Sequence, residues 1–285
     1  MDSYTLDLAN GVNEKQHILF MSDLHCTSPS FNRKEFDKDI QWAISNCKNL
    51  SIFIGGDTAE LIFPSDQKRW NAEHEKQVSA MFSYEVREAE EILKNYAPFI
   101  VWVGMGNHEA SALKYNHDDF TLCLISNLQK YRGNLAPIHH GGYKSFIRVK
   151  LLNNGSVNGQ ASFVVMHFHG SGAGAPVTKG MISLARLRSD YEADIYWVGH
   201  KHTEITDRPF RIYMDRTGVL RRREIRAFFT AGYQMPFIQR EYDELGYISN
   251  FSDTQESVTS SGCALLEVEV QNTGSLRVPR FRLTN

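Results

Sequence analysis

Cysteine is scarce in this chain, with four among 285 residues, and the four are far apart. Cys26, Cys47, Cys123 and Cys263 form no Cys-x-x-Cys pair, which argues against a thiolate zinc knot or a disulfide framework and points to a reducing compartment. Long apolar runs are also missing. No stretch approaches the roughly 18 apolar residues of a membrane span. The opening "MDSYTLDLANGVNEKQHILFMSD" begins acidic and holds only Ile18 to Met21 as a continuous apolar run, too short for the core of a secretion signal. A cytoplasmic protein with no membrane partner is the expectation. Neither charge dominates: 31 basic residues face 33 acidic ones, for a net charge of -2 and a pI near 6.6. A protein that grips nucleic acid by overall charge alone is therefore excluded, although a local basic strip is not.

What the sequence does hold is an alternation of strand-like and helix-like segments. At 42% hydrophobic and 12% aromatic it can bury one sizeable core, so one domain over residues 1–285 is expected. "HILFMSDLH" reads as a strand. After it Asn32 and Glu35 read as a helix cap and its partner, with Phe36, Ile40, Ala43 and Cys47 at helical spacing. "LSIFIGGD" is a second strand, followed by a helix from about Asp66 to Tyr96 that carries Val78, Met81, Phe82, Val86, Ala89 and Leu93 on one face. "PFIVWVGMGNHE" is a third, and a helix with Phe120, Leu124 and Leu128 closes at Gly133. Strands alternating with helices imply an α/β fold with a parallel sheet.

Beyond this, "YKSFIRVKLL" and "ASFVVMHFHG" flank the turn-rich "NNGSVNGQ" and read as a hairpin. A helix carrying Met181, Leu184, Leu187 and Tyr191 leads to "ADIYWVGHKH". Short β-like pieces follow: "RPFRIYM", "EIRAFFTAG", "CALLEVEV" and "LRVPRFRL", with "SNFSDTQESVTSSG" as a polar surface loop. No repeat or linker divides the chain.

Five of the apolar runs share one property. They end in Asp23 and His25, in Asp57, in Asn107, His108 and Glu109, in His167, and in His200 and His202. In an open α/β sheet the carboxyl edge of the strands is where ligands bind, because the loops converge there. Carboxylates, an amide and imidazoles without thiolate suit manganese, iron or zinc. Asp23, His25, Asp57, Asn107, His167, His200 and His202 make seven ligands, more than one ion needs, so two divalent ions sharing a carboxylate, about 3.5 to 4 Å apart, are the economical arrangement.

In order along the chain, "DLH" (23 to 25), "GD" (56 and 57), "GNHE" (106 to 109), His167 and "GHKH" (199 to 202) resemble the motifs of the calcineurin-like metallophosphoesterase superfamily, over about 180 residues. The resemblance implies a four-layer α/β/β/α sandwich with a core of about 15–235, completed by C-terminal strands over 262–283. It also implies a dinuclear centre. Asp23, His25, Asp57 and His202 would hold one ion, and Asp57, Asn107, His167 and His200 the other, with Asp57 as bridge. Manganese is the first expectation, with iron, zinc or nickel as alternatives. His108 would be catalytic, stabilising phosphoryl oxygens or protonating the leaving group, with Glu109 or Asp23 orienting its ring. The implied reaction is in-line attack by metal-bound hydroxide.

Several residues compete or assist. His169 shares a strand face with His167 and rivals it; His167 is preferred because it directly follows "FVVM", leaving His169 to support the site or face substrate. The loop "GSGAGAPVTKG", with Lys179, borders the site, where its amides could cradle a phosphate. "RPFRIYMDRTGVLRRREIR" holds seven arginines, Arg208 and Arg211 first among them, on an expected hairpin turning at "DRTG", either solvated or gripping a polyanionic substrate. His139 and His140 are expected at the surface, and Glu60 and Cys26 as supporting residues.

Departures narrow the branch. Thr58-Ala59-Glu60-Leu61 follows Asp57, so the Asp-Arg-Gly continuation of Ser/Thr protein phosphatases is missing, and Glu60 stands where purple acid phosphatases place a tyrosine. The expected function is a metal-dependent phosphodiesterase acting on a nucleotide or nucleic acid. The alternatives are a phosphomonoesterase of a small molecule and a catalytically silent metal-binding scaffold; the intact ligand set argues against the last.

Overall fold

Which strand ends meet is decided by how two sheets are stacked. The structure is a computed structural model that describes residues 2–10, 14–66, 70, 80–153, 156–172, 178, 180–215, 217–235, 238–239, 245–246, 261–273 and 276–284. The chain runs through β1 (Asp2–Asn10), β2 (Gln16–Met21), α1 (Arg33–Asn46), β3 (Leu50–Ile54), α2 (Met81–Leu93) and β4 (Ile100–Val103). Then come α3 (Asn107–Asn116), α4 (Phe120–Leu128), β5 (His139–His140), β6 (Lys144–Asn153), β7 (Ser156–Phe168), α5 (Met181–Asp190) and β8 (Ile195–Val198). After these follow β9 (Ile205–Asp207), β10 (Phe210–Met214), β11 (Leu220–Glu224), β12 (Arg226–Phe229), the short pair β13 (Ile238–Gln239) and β14 (Leu245–Gly246), and the hairpin β15 (Ala264–Thr273) and β16 (Leu276–Thr284).

Two six-stranded mixed sheets result, ordered β1-β6-β7-β8-β12-β9 and β16-β15-β2-β3-β4-β5. Their facing surfaces interdigitate large side chains: Phe20, Phe53 and Trp102 from one, Phe163, Trp197 and Phe228 from the other, all buried. Phe20 touches the rings of Phe53, Trp197 and Phe228 at centroid distances of 5.3, 4.9 and 5.3 Å. Full burial of each such side chain stabilises the fold by about 1.5–3 kcal/mol. The outer face of the second sheet is covered by α1, α2 and α4 through Phe36, Ile40, Val86, Leu93, Phe120 and Leu124. The outer face of the first is covered by Leu184 and Leu187 of α5. The expected α/β/β/α layering is thus the observed one, and β15, paired antiparallel with β2, brings the late hairpin into the second sheet.

Local chemistry sets the element starts. Asn32 caps α1 by accepting from the Glu35 N–H at 3.2 Å, as its position suggests. Asp119 does the same for α4 with Leu122 at 2.9 Å. The helix expected over Asp66 to Tyr96 is helical over Met81–Leu93 and continues as a 3-10 turn over Lys94–Tyr96, while residues 67–69 and 71–79 lie outside the described residues. The polar loop over 249–260 lies outside them as well. The strand β1, parallel to β6, and the helix α3 were not anticipated. Among the described residues no helix is long and apolar enough to cross a membrane.

Candidate metal centre

Left-handed backbone marks the site before any side chain is considered. Asp23, His25, Asp57, His200 and His202 all have positive φ, at 54°, 45°, 48°, 69° and 46°. Each such non-glycine residue costs roughly 1–3 kcal/mol and persists only where its surroundings fix it. Here they do. The Asp23 and His25 N–H groups donate to the carbonyls of Gly56 and Asp57 at 3.0 Å each, and the Tyr233 N–H donates to the Asp23 carbonyl at 3.0 Å. Both carboxylate oxygens of Asp23 accept from the His200 N–H at 2.9 Å, and Asp57 Oδ1 accepts from the His108 N–H at 2.9 Å.

The ends of β3 and β4 are pressed together. A Cβ on Gly106 would fall 2.2 Å from Asp57 Oδ1, so no larger residue fits there. Glu109, in the first turn of α3, collects the N–H groups of Asp57, Thr58 and Gly106 at 2.9, 2.7 and 2.8 Å. It clamps two strand ends to one helix start. Burial, with the nearby charge of Asp57, lifts its carboxyl to about 7.

Three groups of donors emerge, two of them built on aspartates and the third formed by His25, Glu60 and His108. Asp23, His25 and His202 bring ligand atoms within 4.8 Å of one another, and so do Asp57, His169 and His200. His202 Nε2 lies 3.7 Å from Asp23 Oδ1, and His25 Nε2 lies 3.9 Å from Asp57 Oδ2. His169 Nε2 lies 3.0 Å from the same Asp57 oxygen and 3.2 Å from Asn107 Oδ1. Asp57 Oδ2 thus lies against His169 of its own group and faces His25 of the other aspartate group.

His167 stands apart. Its ring packs between Trp102 and Trp197, at centroid distances of 4.8 and 4.6 Å, and its Nε2 meets the Gly55 carbonyl at 3.1 Å. Alternation puts His167 and His169 on one face of β7, but only His169 passes the sheet edge; the preference for His167 is corrected on that ground. Arg208 and Arg211 are not at the cluster either. Their hairpin joins β9 to β12 at the amino end of β12, because Asp207 pairs with Ala227 while the site lies beyond the carboxyl end at Phe229. Arg208 donates to the Leu283 carbonyl at 3.1 Å and Arg211 to that of Arg188 at 2.9 Å. Lys179 lies outside the described residues. His139 and His140 are half-buried.

His108 Nδ1 contacts the Glu60 carbonyl, and Glu60 Oε2 lies 3.0 Å from His25 Nδ1. Sequence reasoning overlooked Lys201, whose Nζ donates to the Ser171 carbonyl at 3.0 Å and also to that of Gly172, and Tyr143, whose hydroxyl donates to the Gly170 carbonyl. It overlooked Gln234 as well, whose amide donates to Glu60 Oε2 at 3.3 Å. For Lys201 the signal was its place between two candidate ligands.

Charge is concentrated here. Burial works against the charged form throughout, yet Asp57 and Asp23 lift His169 to about 10, and Glu60 with Asp57 and Asp23 lifts His25 to about 9. Burial would raise Asp57, but His169 and His108 hold it well below the carboxylate range. Burial prevails at His200 and His202, which fall to about 4 and about 3. Buried carboxylates demand countercharge; protons on His25 and His169 supply it, and divalent cations would meet the same demand by displacing them. His25 Nε2 is buried without a hydrogen-bond partner among the described residues, which is what a ligating nitrogen requires. The donor set therefore fits divalent metal ions.

Stacked mixed sheets with Asp, Asn and His gathered at the carboxyl edge define a phosphoesterase-type sandwich. A sequence model of calcineurin-like phosphoesterases matches residues 16–204, and the chain belongs to that family. No curated protein sequence matches it. Among solved structures, Vps29 from Entamoeba histolytica, complexed with zinc, aligns at 10% identity over 95% of this chain and 100% of its own, with a TM-score of 0.35. A metallophosphoesterase from Sphaerobacter thermophilus aligns at 12% identity over 90% and 84%, with a TM-score of 0.33. A phosphoesterase predicted in Streptococcus pneumoniae aligns at 13% identity over 94% and 99%, with a TM-score of 0.30.

Proposed function

We propose that the protein hydrolyses phosphodiesters with two divalent metal ions, manganese first among them. One would be held by Asp23, His25, Asp57 and His202 and the other by Asp57, Asn107, His169 and His200. What supports this is the place of Asp57 Oδ2, 3.0 Å from His169 Nε2 in its own donor group and 3.9 Å from His25 Nε2 in the other. Bound ions would supply Lewis acidity toward the phosphoryl group and an activated water.

The chain's own residues would do the rest. The Glu60 carbonyl accepts from His108 Nδ1, so that nitrogen carries the proton and transfers to or from substrate would run through Nε2. A diester carries less charge than a monoester and needs less neutralisation. Lys201, flanked by His200 and His202, commits its Nζ to the carbonyls of Ser171 and Gly172, and no arginine follows Asp57 in Thr58-Ala59-Glu60. This supports the diester over the monoester. A nucleotide remains the proposed substrate class; the arginine hairpin no longer argues for nucleic acid. Four unpaired cysteines suit the proposed cytoplasmic setting.

The test is hydrolysis of bis(p-nitrophenyl) phosphate beside p-nitrophenyl phosphate by chelator-stripped protein with and without manganese. Manganese-dependent turnover that favours the diester is expected. Monoester turnover alone, or no turnover with both ions bound, would overturn the proposal.

A further inference from the structure

Glu60 touches two histidines with two different parts of itself. Its carbonyl meets Nδ1 of His108, and its carboxylate lies 3.0 Å from Nδ1 of His25. The two imidazoles cross edge to face, with centroids 4.7 Å apart and planes at 86°. Glu60 is itself fixed. Its N–H donates to Thr27 Oγ1 at 2.9 Å, and that hydroxyl donates onward to Glu85 of α2. Its Oε2 also accepts from Gln234 Nε2 at 3.3 Å. Gln234 is buried, follows β12, and lies outside the matched family segment.

We propose that Glu60 is the positioning residue of the centre: its carboxylate, held by Gln234, sets the ring of His25 for ligation through Nε2, while its carbonyl sets the ring of His108. The proposal rests on the dinuclear reading above. The physical logic is that a ligating imidazole is oriented by what its other nitrogen touches, and loss of such a partner costs 10–100-fold in metal affinity as an order of magnitude. A glutamate suits the double task because its longer side chain carries the carboxylate to His25 while the backbone stays beside His108. His25, Glu60 and His108 also bring ligand atoms within 4.8 Å of one another. With both Nδ1 atoms engaged by Glu60, this trio acts as a bracket and holds no third ion.

The two contacts separate by mutation, since side-chain changes at position 60 leave the carbonyl in place. Manganese binding is measured by calorimetry and by metal analysis after gel filtration, on the wild type and on Glu60→Ala, Glu60→Gln, Gln234→Ala and His108→Ala. The wild type is expected to bind two ions. Glu60→Ala should weaken one of them by about 10–100-fold and leave the other unchanged. Glu60→Gln, whose amide oxygen still accepts from Nδ1–H, should restore most of that loss. Gln234→Ala should weaken the same site by a smaller factor, and His108→Ala should leave both sites intact. Where Glu60→Ala does not fold, Gln234→Ala and Glu60→Gln carry the comparison. Two ions bound with wild-type affinity by Glu60→Ala, or by Gln234→Ala in its place, would overturn the proposal, as would three ions per wild-type chain. A wild type that binds no ion would instead overturn the dinuclear reading, and this proposal with it.

Discussion

His169 Nε2 stands 3.0 Å from Asp57 Oδ2, while His167, two residues earlier on the same strand face, is enclosed by Trp102 and Trp197. The two histidines therefore fail differently when removed. His169→Ala should lose more than about 100-fold in manganese-dependent turnover and one bound ion, with the fold kept. His167→Ala should bind both ions but unfold at lower denaturant, by about 2–4 kcal/mol, because it opens a cavity between packed aromatic rings. Metal analysis with denaturant titration of both variants separates them; the reverse assignment would follow if His167→Ala were the variant that lost metal.

Proton release accompanies metal binding. His25 and His169 are raised to about 9 and about 10, so both carry a proton at neutral pH and must shed it to ligate. Loading at pH 7 should release about two protons per chain, and overall affinity should rise with pH until the higher of these values is passed. Calorimetry in buffers of different ionisation enthalpy counts the protons. A count of zero would contradict one or both ligand assignments.

His108 touches the centre without belonging to either donor group built on Asp23 and Asp57. His108→Ala should reduce turnover by about 10²–10⁴-fold while both ions remain bound. Steady-state kinetics at matched metal occupancy gives the comparison, and an unchanged rate would remove His108 from the mechanism.

The arginine hairpin is expected to be irrelevant to turnover. Arg221 pairs with Asp215 at 2.8 Å, and Arg222 stacks 3.3 Å over the ring of Phe210. Arg221→Ala and Arg222→Ala should leave kcat/KM within about twofold on any diester. Arg226→Ala should instead cost about 1–3 kcal/mol of stability, since its buried guanidinium serves the Phe281 carbonyl at 2.9 Å and Glu224 at 3.0 Å. A tenfold loss on polynucleotides in the first two variants would restore the hairpin to the substrate path.

Strand ends were readable because apolar runs stop abruptly at Asp23, Asp57, Asn107 and His200, and a carboxyl sheet edge gathers whatever stands there. The choice between His167 and His169 was not. Strand alternation gives both the same face, and only the stacking of Trp102 and Trp197 from facing sheets shows where the interior ends. Helix α3 escaped notice because the residues it buries are His108, Glu109 and Ala112, a helix face that is mostly polar. The β10–β11 pairing was legible from "DRTG" between two strand-like pieces, yet its distance from the metal centre depends on β9 running antiparallel to β12, a long-range fact without a local signal. Glu60 and Gln234 meet across 174 positions for the same reason.

The most direct measurement is anomalous scattering at the manganese edge from crystals of the metal-loaded protein. The dinuclear assignment predicts two peaks on either side of Asp57, one ligated by Asp23, His25 and His202 and the other by Asn107, His169 and His200. A single peak, or a peak coordinated by His167, would contradict it.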